Sequence, residues 1–123
     1  MINVSGPVII KDNKVLLIKD KKDFFWKFPG GQAEPNETLE QTCIREVKEE
    51  LGIDVSDLKH LLTITLQKDR NIKVKLIHYL ANYSGNIKLG NDIDEWAWLD
   101  LDNLPTDCAP NIKQVVDEYK KLN

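Results

Sequence analysis

The amino-acid sequence predicts an α/β protein of the α+β kind, a mixed β-sheet with helices packed against its faces. Three observations carry that prediction. β-rich apolar segments occur at residues 4–18 and 60–83, a capped amphipathic helix lies between them, and a second amphipathic pattern follows near residue 111.

Taken in order, "VSGPVIIKDNKVLLIKD" holds two apolar runs around Lys11-Asp12-Asn13-Lys14 and reads as a β-hairpin with a polar turn. Residues 20–25 form a charged loop. Trp26 to Phe28 is a short extended stretch leading into Pro29-Gly30-Gly31, where glycine admits backbone angles that other residues resist. The next element is a helix to Leu51, with Thr38 as N-cap and Gln41 completing a capping box. Gly52 suits the left-handed position after its last turn. Leu39, Cys43, Val47 and Leu51 make its core stripe, widened by Ile44. "HLLTITLQKD" and "IKVKLIHYLANY" are strands joined by a turn around Asp69 to Asn71, and "EWAWL" is a short strand with both tryptophans on one face. "NIKQVVDEYKKL" reads as an amphipathic helix with Ile112, Val115, Val116 and Tyr119 on one stripe.

With 123 residues, 41% hydrophobic and 30% charged, the chain has the size and composition of a single globular domain, 1–123. A net charge of -3 gives no electrostatic case for a nucleic-acid or membrane partner. An anionic ligand must therefore be attracted locally. Cys43 and Cys108 fit neither a closely spaced zinc pair nor a disulfide framework, and no apolar run reaches signal-peptide or membrane-spanning length. A cytoplasmic location is expected.

Glu46, Glu49 and Glu50 stand at i, i+3 and i+4, within a sector of about 100° on the helix. Carboxylates crowded so closely repel unless a cation relieves them, and an all-oxygen set suits Mg²⁺ or Mn²⁺. Glutamates also favour solvated helix faces, so spacing alone leaves both readings open.

The upstream residues add to this. The stretch from Gly31 to Ile53, "GQAEPNETLEQTCIREVKEELGI", resembles the Nudix box, whose pattern is Gly, five residues, Glu, seven residues, Arg-Glu, an aliphatic, any residue, Glu-Glu, any residue, Gly, an aliphatic. Gly31, Glu37, Arg45, Glu46, Val47, Glu49, Glu50, Gly52 and Ile53 fill its nine fixed places without exception. "FWKFPGG" before the box and "DEWAWLDLDNLP" after it are similar to the MutT-like branch of that superfamily. The resemblance implies the Nudix α/β/α sandwich, with a mixed central β-sheet between helices. It also implies metal-dependent attack of water on a pyrophosphate bond in a nucleoside diphosphate derivative.

Carried over by position, the resemblance makes Glu46, Glu49 and Glu50 metal ligands, with the Gly31 carbonyl and Glu34 as further ligands and Mg²⁺ (Mn²⁺ as substitute) as the ion. Arg45 and Glu37 match a salt bridge that braces the loop on the helix. Glu95 matches a glutamate of the late strand, which leaves Glu50, Glu49 and Glu95 as the catalytic carboxylates and either Glu50 or Glu95 as general base. Lys19 falls near a phosphate-contacting basic residue, with Lys27, Arg70, Lys73 and Lys75 as other candidates. Phe28, Trp26 and Phe24 offer stacking surfaces beside the glycines. Asn111 falls near an asparagine that reads the base in oxidised-guanine sanitising enzymes, and equally suits a helix cap.

The branch implies a nucleoside triphosphate, cleaved to monophosphate and pyrophosphate. ADP-ribose and dinucleoside polyphosphates compete, although a proline or tyrosine about sixteen positions past the box, associated with those groups, is absent near Lys68. A non-catalytic nucleotide-sensing domain is the alternative from another class, and monomer or homodimer stays open. His60 and His78 lack partners at metal-ligand spacing and read as packed or solvated; Cys43 reads as inert core.

Overall fold

The computed structural model describes residues 1–122. Its strands are β1 (Ile2–Val8), β2 (Ile10–Lys11), β3 (Lys14–Asp20), β4 (Gly31–Gln32), β5 (Asp54–Asp69), β6 (Ile72–Ser84) and β7 (Ile93–Asp100). Its helices are α1 (Leu39–Leu51) and α2 (Pro110–Lys120).

The expected first hairpin is cut short. Asp12 and Asn13 do turn the chain, with φ of 53° and 61°, a conformation that short polar side chains tolerate best. Only Ile10↔Val15 and Lys11↔Lys14 pair across that turn. β1 instead leaves for a neighbouring sheet, where it runs parallel to β6 from Ile2↔Val74 to Val8↔Leu80. The continuous apolar run from Pro7 to Ile10 has no alternation, so no periodicity marks the residue at which the chain changes sheets.

The strands therefore form two sheets where one was expected. A four-stranded mixed sheet has the order β4-β1-β6-β5, and a three-stranded antiparallel sheet the order β2-β3-β7. β5 also starts at Asp54, ahead of the expected residue 60; register shifts between Ser56 and Lys59 and between His60 and Leu62 interrupt the alternation that would have marked its first residues as strand.

β3 joins the layers. Val15, Leu16, Leu17 and Ile18 are all fully buried, so the strand has no solvent face. Leu16 and Ile18 pack with Val47 and Leu51 of α1, whereas Val15 and Leu17 pack with Ile112, Val115 and Val116 of α2. The two helices thus lie on opposite sides of this strand, as the sandwich expectation requires.

α1 is capped as its sequence predicts. Thr38 Oγ1 accepts from the Gln41 amide at 3.1 Å, and Gln41 Oε1 accepts from the Thr38 amide at 2.9 Å. Gly52, at φ 68°, donates its N–H to the Lys48 carbonyl and ends the helix. Ile44 corrects the expected stripe: it is 42% exposed, and fully buried Thr42 takes the inner place because its hydroxyl bonds to Glu37 and to the Thr38 carbonyl. α2 begins at Pro110 after Ala109, so Asn111 is not its cap.

Replacing Leu17 by Ala removes apolar volume from the layer between β3 and α2 and should lower unfolding free energy by about 2–5 kcal/mol. Thr38→Ala, which loses one cap, should cost about 0.5–2 kcal/mol. Urea melts of both variants check the order, and a smaller loss for Leu17→Ala would contradict the packing described.

Candidate active site

The site is built where the Pro29-Gly30-Gly31 turn meets the second half of α1. Gly30 has φ 140°, and a Cβ there would lie 2.5 Å from the Ser5 carbonyl oxygen. A Cβ on Gly31 would lie 2.4 Å from the Glu46 carboxyl carbon. Both glycines are needed because the turn threads between β1 and an acidic helix face with no room for a side chain. Ser5 secures the other end by donating its buried hydroxyl to the Leu39 carbonyl at 2.6 Å.

Glu50 reaches this turn from below, and its Oε1 accepts the Gly30 amide at 2.7 Å. Burial pushes its carboxyl up to about 8, against which the Gly30 hydrogen bond acts only in part, while the Glu46 charge raises it further. Burial raises the Glu46 carboxyl as well. Both shifts mark a region where negative charge is held at a cost.

Arg45 supplies the positive charge beside it. Its Nε and Nη2 donate to the two Glu37 oxygens at 2.6 and 3.0 Å, a forked ion pair that ties the loop to α1. Nη1 donates to Glu46 at 2.9 Å and to Glu49 at 3.3 Å, Nη2 donates to the Gln32 carbonyl at 3.2 Å, and Glu34 lies 3.9 Å from Nη1. Hydrogen bonds from Arg45 and then Thr42 hold the Glu37 carboxyl down at about 2.

Glu46, Glu49 and Glu50 do not converge on one point: among the described residues no group of three or more acidic, His or Cys side chains has a metal-holding arrangement. Glu46 and Glu49 close on the Arg45 guanidinium while Glu50 turns to the Gly30 amide. The donor chemistry nevertheless fits a hard cation. Glu34, Glu46 and Glu49 turn carboxylate oxygens toward one positive group, the Arg45 guanidinium, and the bare Gly31 Cα leaves open the space beside Glu46 that a side chain would fill.

The remaining expected residues fall on either side. Glu95, exposed on β7 and opposite Lys19 in the β3–β7 register, lines a cleft with Lys19, Asp20, Asp23, Phe24 and Asp94. Asp23 lines both this cleft and the cavity that includes Gly30, so the two adjoin. Lys19 pairs with Asp107 at 2.9 Å and lies over the Trp26 ring at 4.8 Å, so it meets an anion only by exchanging Asp107. Phe24 is 89% exposed.

Phe28 and Asn111 come together. With Pro29, Gly30, Leu76 and His78 they line a cavity of about 240 Å³ that opens beside the glycine turn. His78 joins this cavity unforeseen by the sequence reading, which left it packed or solvated. The available signal was its alternation with Val74 and Leu76 on one face of β6.

Three comparisons with known proteins place the chain among its relatives. The NUDIX domain family profile matches residues 1–119. An ADP-ribose pyrophosphatase from Methanocaldococcus jannaschii is 35% identical over 120 residues, 93% of this chain and 70% of the relative. An 8-oxo-dGTP diphosphatase from Proteus vulgaris is 42% identical over 98 residues, 71% of this chain and 88% of the relative. In structure, a MutT NUDIX hydrolase from Burkholderia pseudomallei superposes with a TM-score of 0.86 at 26% identity, covering 95% of this chain and 96% of that one.

The raised Glu50 carboxyl has a sign that can be measured. Between its unfolded value near 4.5 and its folded value near 8, the folded state binds the extra proton, so stability of the metal-free protein falls as pH rises. Thermal melts in EDTA from pH 6.5 to 8 should show this decline, at most about 1.4 kcal/mol per pH unit, and Glu50→Gln should flatten it. A wild-type slope preserved in the Gln variant would remove Glu50 as its origin.

Proposed function

Because the chain belongs to the NUDIX family, we propose that it hydrolyses a nucleoside 5′-triphosphate with water, releasing the monophosphate and pyrophosphate. It is a Nudix pyrophosphohydrolase, acting on an acid anhydride of phosphorus, and its MutT-like character is shared with the diphosphatase relative and the superposed hydrolase. The triphosphate is the finer reading, favoured by the likeness to the diphosphatase relative, and one observation carries the nucleotide in it. The glycine turn lies directly on the Glu46 and Glu50 carboxylates, beside a cavity sized for one heterocycle and smaller than the roughly 300–1,000 Å³ of drug-sized sites.

In this reading residues 1–123 act as one domain, and Glu46, Glu49 and Glu50, with the Gly31 carbonyl and Glu34, hold Mg²⁺ or Mn²⁺. When bound, the ion neutralises phosphate oxygens and lowers the proton affinity of water. The chain's own groups do the rest. The Glu37–Arg45 fork keeps the loop closed on α1, and the Gly30 amide fixes the Glu50 carboxylate in orientation. Burial raises the proton affinity of Glu50 and the cation's charge would keep it ionised, which together suit it to take a proton from water. Glu95 in the adjoining cleft is the second candidate base. Phe28 and Asn111 receive the base, and Lys19 reaches phosphate after exchange with Asp107.

The Methanocaldococcus jannaschii relative supports a second reading, ADP-ribose as substrate. Its match extends over 93% of this chain. Among the described residues no helix is long and apolar enough to cross a membrane, and the reading places the enzyme in the cytoplasm with a small nucleotide as its partner.

A panel of nucleoside triphosphates, ADP-ribose and dinucleoside polyphosphates, assayed for Mg²⁺-dependent phosphorus release, ranks these readings. Triphosphates should turn over fastest; faster turnover of ADP-ribose would replace the first reading by the second. EDTA should abolish activity. Replacing the general base by Gln should lower kcat by roughly 10²–10⁴. The loss is expected in Glu50→Gln, and full activity there with loss in Glu95→Gln would move the role to β7.

A further inference from the structure

His78 belongs to the Phe28–Asn111 cavity, and its polar contacts are lopsided. The side chain is 5% exposed, and its ring packs against Phe28 at 5.0 Å between centroids, tilted by 58°. Its Nε2 lies 3.4 Å from Asn111 Nδ2, while Nδ1 is buried with no hydrogen-bond partner among the described residues. Burial pulls the imidazole down to about 4, so at neutral pH one ring nitrogen is bare and the other carries hydrogen.

An apolar side chain of the same volume would fill this place without an orphaned nitrogen, so the imidazole does not serve packing. Its polar contribution falls on Asn111. That residue has no capping duty to compete, since α2 starts at Pro110. With Nδ2 turned to a bare Nε2, the carboxamide is left with its Oδ1 as the acceptor for anything entering the cavity.

We propose that His78 is a positioning residue for base recognition: it fixes the Asn111 carboxamide so that Oδ1 accepts from an amino-bearing heterocycle, as adenine, cytosine and guanine are and uracil is not. This rests on the nucleotide reading above and narrows it. Uracil lacks an exocyclic amino group, and its one ring donor, N3–H, is flanked by two carbonyl oxygens that face Oδ1 acceptor to acceptor, so it pairs less well there. The Phe28 ring, already tilted against His78, closes the cavity beside the incoming base.

The test is calorimetric binding of AMP, GMP, CMP and UMP in EDTA, where no turnover occurs, to wild type, His78→Phe, His78→Gln, Asn111→Ala and the double variant. Wild type should bind at least one amino-bearing monophosphate about tenfold more tightly than UMP. His78→Phe and Asn111→Ala should each reduce that preference to about twofold, with no further loss in the double variant. His78→Gln, which can still bond the carboxamide, should retain most of it. The matching triphosphates should show the loss in KM more than in kcat. ¹⁵N spectra should show a bare Nε2 that shifts in Asn111→Ala.

The wild-type preference surviving in folded His78→Phe overturns the proposal, as does a wild type with no preference against UMP. Should the Phe variant not fold, an Nε2 resonance unmoved by Asn111→Ala overturns it instead. Monophosphate preference with no magnesium-dependent turnover of any triphosphate would sink the hydrolase reading and leave this one standing.

Discussion

The Arg45 guanidinium is the interaction on which the rest of the site depends. It grips Glu37 with two nitrogens, Glu46 and Glu49 with a third contact, and the Gln32 carbonyl across the loop. Without a cation at this point, the acidic face of α1 and the loop residues Glu34 and Glu37 repel one another. The helix would still be held by Cys43, Val47 and Leu51, but the loop would have no electrostatic reason to lie on it. Arginine suits the task because its planar fork pairs with one carboxylate and still has donors for others.

This arrangement also explains why neighbouring glutamates differ in character. Glu37 sits against the guanidinium and titrates far below the ordinary range, while Glu50, one helical turn and more beyond Arg45, titrates far above it. Both are carboxylates within one loop-helix unit. Their separation comes from Arg45, which holds Glu37 down, and from burial, which raises Glu50 against the opposing pull of a single backbone amide. A buried carboxylate of raised pKa next to a cation-seeking cluster is the combination expected of a functional site rather than of a stabilising ion pair.

Much of this was legible in the amino-acid sequence, for physical reasons. Thr38, Gln41 and Gly52 act through local hydrogen bonds whose partners are a few residues away, so the limits of α1 could be read directly. Spacing likewise placed the acidic residues on one helix face. What spacing could not give was the competition among charges. Arg45 was read as a brace for Glu37, and its hold on Glu46 and Glu49 depends on side-chain geometry. The departure of β1 from the first hairpin was hidden because residues 7–10 are uniformly apolar. β5 was read late because its register shifts erase alternation. His78 escaped because its partner, Asn111, is a distant residue on another element.

The parallel register of β1 with β6 bears on the order in which the molecule assembles. Ile2 finds Val74 only after about seventy intervening residues, and non-local pairing of this kind is slow to form. Ser5 and Gly6, against which the glycine turn is laid, belong to that same strand. During synthesis α1 can be complete and capped while the turn still lacks its bed. The glycine turn therefore takes its final shape late, and the nascent chain carries an acidic helix well before the loop is laid on it.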